Sequence, residues 1–204
     1  MRLVLASASP RRAELLRAAG FVFDVQPADV DERVRAGEAP AAYASRVADA
    51  KADAVIPSAG DRIVLAADTI VVIDGLILGK PVDGADAARM LRLLSGRRHQ
   101  VLTAVTAARP GRIRLTCVES TDVEFLALNP DEIAWYVATG EPADKAGAYG
   151  VQGLASRFVV RIDGSYSNVV GLPVSRVYSM LHEIDPAVRP GYPEVDLKPE
   201  SPYL

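Results

Sequence analysis

The sequence predicts an α/β protein with a mixed central sheet flanked by helices. Several short apolar segments are typical of buried strands, and they are interspersed with helical segments. Other strand-like segments follow one another across tight turns, as the strands of an antiparallel hairpin do. A sheet that combines both arrangements is a mixed sheet.

The composition excludes several classes of protein. Of the 204 residues, 50% are hydrophobic and 24% are charged, as in ordinary globular domains. The net charge of -3 argues against general nucleic-acid binding, although it leaves room for a local basic pocket. The single cysteine, Cys117, cannot form an intramolecular disulfide and suits a reducing compartment. No stretch approaches the roughly 20 apolar residues that span a membrane, so we expect a cytoplasmic protein without membrane contacts.

The first half of the chain contains clear start and stop signals. Ser9 is a favourable N-cap residue and Pro10 suits the first helical position. Gly20 is typical of the end of a helix. The predicted elements are strands at 2–6 and 21–27, a helix at 10–19, an acidic loop at 28–34, and an alanine-rich helix from Pro40 to about Val55.

The second half is organised by two tight turns. Asp74-Gly75 predicts a hairpin inside the apolar segment 62–81, and the letters RPGR divide 99–125 into a strand pair. The remaining predicted elements are helices at 84–96, at 129–140 and from Pro173 to about Glu183, and strand-like segments at 158–163 and 165–171. Residues 185–204 contain five prolines, which are incompatible with regular secondary structure.

Arg11 and Arg12 are unusual because they occupy the first turn of a helix, where the dipole disfavours cations. The helix at 129–140 has the same cap-then-proline start, yet it continues with Asp131 and Glu132. One interpretation is a phosphate- or carboxylate-binding loop at a helix N-terminus. In the other, both arginines point into water at a small cost in free energy.

Asp68 lies inside the apolar segment IVLAADTIVVI. A buried carboxylate should be paired, metal-bound or shifted in pKa, and a strand ending at Asp68 would place it at the rim of the sheet. The alternative is a simple cap or turn residue. One cysteine and two histidines cannot form a Cys/His metal site, so any metal would be Mg²⁺ or Mn²⁺ on carboxylates. Glu32 is a candidate second ligand, with Asp29 and Asp31 as alternatives.

Two lysines are further candidates for an anion site. Lys51 shares a helical stripe with Val47 and Val55, although a lysine there often only extends its ammonium to water. Lys80 follows the predicted hairpin in the letters GKP. This is not a P-loop, since Pro81 replaces the Ser or Thr that would hold magnesium.

Seven blocks, in order along the chain, resemble the Maf family of nucleoside triphosphate pyrophosphatases: LASASPRRAELL, Glu32, Lys51, AADTIVV, LGKP, LSGRRHQVLTAV and EPADKAGAYGVQG. The resemblance implies a fold similar to inosine triphosphate pyrophosphatase, with two lobes around a deep cleft. It also implies a cytoplasmic homodimer that needs a divalent metal cation. The chain would then consist of a pyrophosphatase domain at 1–184 and a proline-rich tail at 185–204, whose role is unassigned.

The resemblance also assigns site residues by position. The phosphate-binding loop falls on Ser7, Ser9, Arg11 and Arg12. The acidic metal-site and base residues fall on Glu32 and Asp68, and the cleft lysines are Lys51 and Lys80. Specificity positions match Arg11, Thr69 and Gln152, as in the branch that cleaves dTTP and UTP.

The expected activity is hydrolysis of dTTP or UTP to the monophosphate and pyrophosphate. Asp68 can bind the metal or accept a proton from water, and which carboxylate is the base stays open. The Gln152 amide can both donate to and accept from a pyrimidine edge. Alternatives are a pyrophosphatase for modified nucleotides such as 7-methyl-GTP, and a nucleotide-binding regulator of cell division without turnover.

Overall fold

The computed structural model describes residues 3–186 and confirms the mixed α/β class. Its strands are β1 Leu3–Leu5, β2 Phe23–Val25, β3 Ile63–Ile73, β4 Leu76–Leu78, β5 Arg98–Arg109, β6 Ile113–Phe125 and β7 Val159–Asp163. Its α-helices are α1 Pro10–Ala18, α2 Pro40–Ala59, α3 Gly84–Leu94, α4 Pro130–Ala138, α5 Tyr166–Val170 and α6 Val174–Ile184. Short 3₁₀ helices cover Glu141–Asp144, Ala146–Ala148 and Leu154–Phe158. From residue 187 onward, the predicted proline-rich tail lies outside the described residues.

The strands form one sheet in the order β2-β1-β3-β5-β6-β7, with β4 paired to β3. β1 runs parallel to both of its neighbours, whereas all pairings from β3 to β7 are antiparallel. The hairpin between β3 and β4 is tight, because Asp74 and Gly75 both have positive φ, as a type I′ turn requires. Both predicted kinds of strand pairing therefore occur in a single sheet.

β3 is the strand on which the cleft is built. Along one edge of β3, residues 63–65 pair with β1 and residues 71–73 pair with β4. Among the described strands, none covers residues 66–70 on that edge, so the sheet divides there. β3 does not end at Asp68: it continues to Ile73, and Asp68 lies opposite Ala104 of β5.

The two faces of the sheet are covered differently. On one face α2 packs along β3 and β5, so Val47 belongs to a core cluster with Ile70. On the other face two separate cores lie at opposite ends of β3. Leu65 packs in a core with Leu16 of α1, and Val71 packs in a core with Leu91 of α3. These two cores form the lobes on either side of the cleft.

Two predicted elements differ from the structure. α2 runs past Val55 to Ala59 and ends at Gly60, whose φ is 64°. The segment 165–171 contains the helix α5, Tyr166–Val170, instead of the expected strand. The Ser165 hydroxyl caps this helix by accepting from the backbone N–H of Asn168, and Gly171 ends it with a φ of 131°. The cap and the glycine outweigh the strand preference of the two valines between them.

Candidate active site

A cleft of about 790 Å³ opens where the sheet divides beside β3. Its walls come from the loop after β1, the start of α1, the middle of β3, the loop after β4 and the segment 144–153. All ten site residues expected from the sequence line it: Ser7, Ser9, Arg11, Arg12, Glu32, Lys51, Asp68, Thr69, Lys80 and Gln152.

Asp68 and Thr69 serve opposite sides of the cleft because successive strand residues point to opposite faces. Asp68 faces α2, where it meets Lys51. Thr69 faces the other way, towards Arg12 and Gly171. One uninterrupted strand thus supplies a carboxylate to one wall and a hydroxyl to the other.

Lys51 is buried and holds two carboxylates. Its Nζ lies 2.8 Å from Asp68 Oδ1 and 2.8 Å from Glu32 Oε1. The side chain of Asp68 is only 8% exposed, whereas that of Glu32 is 49% exposed. The alternative in which Lys51 extends its ammonium to open water is therefore wrong. Burial of Asp68 is tolerated because a charge partner is within contact distance.

The donor set fits a hard divalent cation. Asp68 Oδ2 is buried and, within residues 3–186, has no hydrogen-bond partner. The Glu32 carboxylate is close to Asp68, because both contact the Lys51 ammonium. The described residues contain no cluster of three or more acidic, His or Cys side chains that could hold a metal ion. Magnesium commonly binds to one or two carboxylates together with substrate phosphates, which matches this pair.

Glu32, and not a neighbouring aspartate, faces the site. Asp31 is occupied by Arg33, whose guanidinium and backbone N–H both donate to it and lower the pKa of its carboxyl. The Tyr43 hydroxyl donates to the Glu32 carbonyl at 2.8 Å and fixes the acidic loop. Burial, together with the charges of Asp68 and Glu32, raises the pKa of Tyr43 to about 12. Tyr43 therefore remains a hydrogen-bond donor at neutral pH.

The two arginines of α1 have different environments. Arg12 is buried, and its three nitrogens donate to Gly171 O at 2.8 Å, Ser7 Oγ at 3.0 Å and Thr69 Oγ1 at 3.0 Å. Burial lowers the pKa of its guanidinium, and the carboxylates of Asp68 and Glu32 oppose this effect. Each nitrogen already has a protein acceptor. Arg12 thus joins three segments that form the cleft.

Arg11 remains available to a ligand. Its side chain is 29% exposed and makes one long contact, from Nη1 to Asp144 Oδ2 at 3.3 Å. The alternative in which both arginines point into water is wrong for Arg12. Ser9 occupies the N-cap position, but its side chain makes no capping bond. Instead its backbone N–H donates to Ser7 Oγ at 3.2 Å.

Lys80 and Gln152 are exposed on the cleft walls. Neither side chain makes a hydrogen bond or ion pair with any described residue. The loops that carry them are connected, because Gly147 N–H donates to Gly79 O at 3.0 Å. Both side chains can therefore turn towards a ligand without breaking an existing contact.

Several residues of the cleft were not singled out from the sequence. Asp144, Lys145 and Tyr149 line it, and all three lie in the block EPADKAGAYGVQG. The resemblance includes this block, but of its residues it assigns a role only to Gln152. Lys145 Nζ is held by Glu141 O at 2.7 Å and by Asp144 Oδ1 at 2.6 Å.

The fold and the site define an α/β protein with a deep cleft for an anionic ligand. The same fold occurs in the Ham1 protein of Staphylococcus aureus, with a TM-score of 0.54 at 15% identity, covering 90% of this chain and 100% of that chain. A HAM1 protein from Coxiella burnetii gives a TM-score of 0.50 at 17% identity, covering 90% and 99%. At these identities the likeness concerns the fold alone. Within residues 3–186, no helix combines the length and apolar character needed to cross a bilayer.

The chain belongs to the Maf-like protein family, whose sequence model matches residues 2–184. It is 54% identical to the dTTP/UTP pyrophosphatase of Koribacter versatilis, over 89% of this chain and 93% of that protein. It is 52% identical to the dTTP/UTP pyrophosphatase of Anaeromyxobacter dehalogenans strain 2CP-C, over 94% and 95%. The resemblance found in the sequence motifs is confirmed.

Proposed function

We propose that this protein is a nucleoside triphosphate pyrophosphatase that hydrolyses dTTP and UTP to the monophosphate and pyrophosphate. The observation that carries the proposal is the position of Lys51 between Asp68 and Glu32, in one cleft with the half-buried Arg11 and the exposed Lys80. Relatives that share about half of their residues with this chain are named dTTP/UTP pyrophosphatase.

The charges of the cleft suit a triphosphate. In the reaction, water attacks the α-phosphorus, the bond from that phosphorus to the bridging oxygen breaks, and pyrophosphate leaves. Positioning and charge stabilisation do most of the work in such reactions. Arg11 and Lys80 bind phosphate oxygens, and Lys51 keeps the two carboxylates in place. A carboxylate oxygen of Asp68 or Glu32 receives the proton of the attacking water.

A divalent cation, Mg²⁺ or Mn²⁺, is part of the proposal. Asp68 and Glu32 would hold it, and it would neutralise charge on the phosphates. Removal of divalent metal with EDTA is expected to abolish turnover, and addition of Mg²⁺ or Mn²⁺ in excess is expected to restore it. Turnover that persists in EDTA at the full rate contradicts this part of the proposal.

Gln152 is proposed to recognise the base. Its amide group can donate to one atom of a uracil or thymine edge and accept from the next. Arg11 and Thr69 are the other two residues that we propose take part in substrate selection. The Thr69 hydroxyl is already bonded to Arg12 and to Thr103 Oγ1 at 2.9 Å, so we assign it an indirect role through Arg12.

We also propose that the protein is a cytoplasmic homodimer that acts on free nucleotides and not on nucleic acids. The net charge of -3 and the lone cysteine support the cellular location and the choice of free nucleotides. Light scattering on the purified protein is expected to give twice the chain mass of 21.7 kDa. A mass equal to one chain contradicts the dimer.

A nucleotide panel tests the activity. The protein is incubated with dTTP, UTP, dCTP, GTP and 7-methyl-GTP in Mg²⁺ or Mn²⁺, and pyrophosphate is measured. Release chiefly from dTTP and UTP is expected. Release chiefly from 7-methyl-GTP contradicts the substrate assignment but keeps the reaction. Calorimetric binding of dTTP without any product would favour the non-catalytic regulator.

Asp68→Asn tests the site itself. This variant should lose activity by about 100-fold or more, because the amide cannot accept a proton from water or bind metal as strongly. Asp49→Asn is the matched control: Asp49 accepts from Thr106 and Thr116 outside the cleft. Wild-type turnover by Asp68→Asn with normal metal dependence would show that the site has been assigned incorrectly.

A further inference from the structure

The loop Gly150–Gly153 carries Gln152 and lies between two of the 3₁₀ helices, Ala146–Ala148 and Leu154–Phe158. Gln152 itself is exposed and makes no hydrogen bond to any described residue. The backbone of the loop therefore fixes only the point on the cleft wall from which this side chain extends. The contacts that fix this backbone decide how the amide meets a base.

One carboxylate, that of Glu141, holds the end of this loop. Its Oε2 accepts from the Leu154 N–H at 2.9 Å, directly after Gly153. Its Oε1 accepts from the Tyr136 hydroxyl at 2.8 Å. Hydrogen bonds to an ionised acceptor are about twice as strong as neutral ones. The carboxylate is therefore a strong anchor for the residue that follows the loop.

The other end of the loop is held through Tyr136. The Gly150 N–H donates to the Tyr136 hydroxyl at 3.2 Å, and this hydroxyl donates in turn to Glu141. Tyr136 lies on α4 and is fully buried in the core that also contains Leu91 of α3, so its ring cannot move easily. Burial and the bond to Glu141 raise the pKa of the Tyr136 phenol, which keeps it protonated.

The glycines allow the backbone to lie directly against this anchor. A Cβ atom at Gly153 would overlap the Glu141 carboxylate. A Cβ atom at Gly150 would lie 2.6 Å from Lys145 Cε. The Gly153 end of the sequence GVQG thus lies directly against Glu141, and the Gly150 end lies directly against Lys145.

We propose that Glu141 is a positioning residue for base selection: it fixes both ends of the Gly150–Gly153 loop and so sets the place from which the Gln152 amide reaches the base. The proposal rests on the proposed function, because it concerns selection among nucleoside triphosphates. Glu141 touches neither Lys51 nor Asp68, so its effect falls on the base and not on phosphate chemistry.

The test is the variant Glu141→Gln, which keeps the shape of the side chain but turns one acceptor oxygen into a donor. That donor must then face either the Leu154 N–H or the Tyr136 hydroxyl. We expect kcat/KM for dTTP to fall about tenfold, mostly through KM, as one charged hydrogen bond is lost. The preference for dTTP over dCTP and GTP should fall by the same factor, because those substrates do not depend on the loop.

Glu132→Gln is the matched control. Glu132 is on the neighbouring helix α4, and its Oε2 accepts from the Asn129 N–H at 2.8 Å, away from the cleft. It should leave the base preference unchanged. Tyr136→Phe provides a second test that keeps the Glu141 carboxylate and its bond to the Leu154 N–H, but removes the hydroxyl that links Glu141 to Gly150. It is expected to weaken the preference in the same direction, and it decides the matter if Glu141→Gln does not fold.

The outcomes separate the two proposals. A wild-type protein that cleaves no pyrimidine triphosphate overturns the proposed function, and the role of Glu141 with it. A wild-type protein that prefers dTTP, with the preference unchanged in Glu141→Gln or Tyr136→Phe, overturns only the role of Glu141. An equal loss for every nucleotide does the same, because it indicates general damage to the fold.

Discussion

Lys51 and Asp68 form an ion pair of 2.8 Å between side chains that are 10% and 8% exposed, and Glu32 shares the same ammonium. One cation therefore faces two carboxylates, and the group as a whole keeps a negative charge. Buried pairs of this kind add little net stability, but the loss of one partner is costly because the other stays buried and unpaired.

Removal of the ammonium should be strongly destabilising. Lys51→Met leaves Asp68 and Glu32 without compensation, so we expect the free energy of unfolding to fall by about 3 to 5 kcal/mol. The double variant Lys51→Met/Asp68→Asn should recover about 1 kcal/mol or more of that loss, since contacting residues couple by such amounts. Urea unfolding of the four proteins in the cycle measures the coupling. Additive losses would mean that the pair contributes no coupling.

The two adjacent arginines should respond differently to the same change. Arg12→Lys removes a guanidinium that has three protein acceptors, so a loss of stability of about 2 kcal/mol is expected. Arg11→Lys breaks one exposed contact and should alter stability by less than about 0.5 kcal/mol, while lowering kcat/KM for dTTP. Thermal unfolding and pyrophosphate release measure both quantities. Equal loss of stability in both variants would contradict the assignment of the two roles.

The burial of His99 leads us to expect that the protein loses stability in acid. Its ring is buried beside Tyr149, with Nε2 and the Tyr149 hydroxyl 2.9 Å apart, and burial lowers the pKa of His99 to about 4. The unfolded chain binds this proton near pH 6.5, so the contribution is complete above that pH and is lost as pH falls towards 4. Between these two pH values, protonation of His99 lowers the free energy of unfolding by about 3 kcal/mol in total.

His99→Phe removes this titration. Its unfolding free energy should vary less between pH 6.5 and 4 than that of the wild type. His182→Gln, at the exposed end of α6, is the control and should keep the wild-type pH profile. An unchanged profile in His99→Phe would show that other groups, and not His99, cause the loss.

Gly147 combines a special backbone conformation with a close neighbour. Its φ is +67°, and a Cβ atom would lie 2.7 Å from Val71 Cγ2. Gly111 has the same φ of +67° but open space around it. We expect Gly111→Ala to cost about 1 kcal/mol and Gly147→Ala at least about 2 kcal/mol more, because only the second also overpacks a core. Urea unfolding measures both, and equal losses would contradict the overpacking.

Gly147→Ala should also impair the site. The Gly147 N–H holds the Gly79 carbonyl next to Lys80, so displacement of one loop displaces the other. A lower kcat/KM for dTTP is expected in Gly147→Ala and not in Gly111→Ala. Activity measured well below the unfolding temperature of both variants distinguishes this effect from simple unfolding.

The sequence predicted the mixed sheet and ten of the residues that line the cleft, because hairpin turns, caps and motif blocks are local features. It did not predict that Asp68 lies in the middle of a strand. A continuous apolar segment shows that β3 is buried, but not where its neighbours β1 and β4 leave it uncovered. That depends on pairing between distant segments.

The burial of Arg12 was missed for a related reason. Arg12 lies four residues before Leu16, so both are on the buried stripe of α1, and this spacing was the available signal. The first-turn position instead favours an interpretation in which Arg12 binds an external anion. The acceptors in the folded protein include Gly171, whose proximity cannot be read from a local pattern.

The bond from Arg12 to Gly171 joins residues 159 positions apart in the chain. A ribosome makes Arg12 well before Gly171, which lies near the end of the family domain. Domains generally fold as units once their segments are available. Until residue 171 has emerged, the growing polypeptide lacks the carbonyl that anchors this guanidinium. Competence to bind nucleotide therefore arises only after residue 171 has been made, and chains terminated before it are expected to be inactive.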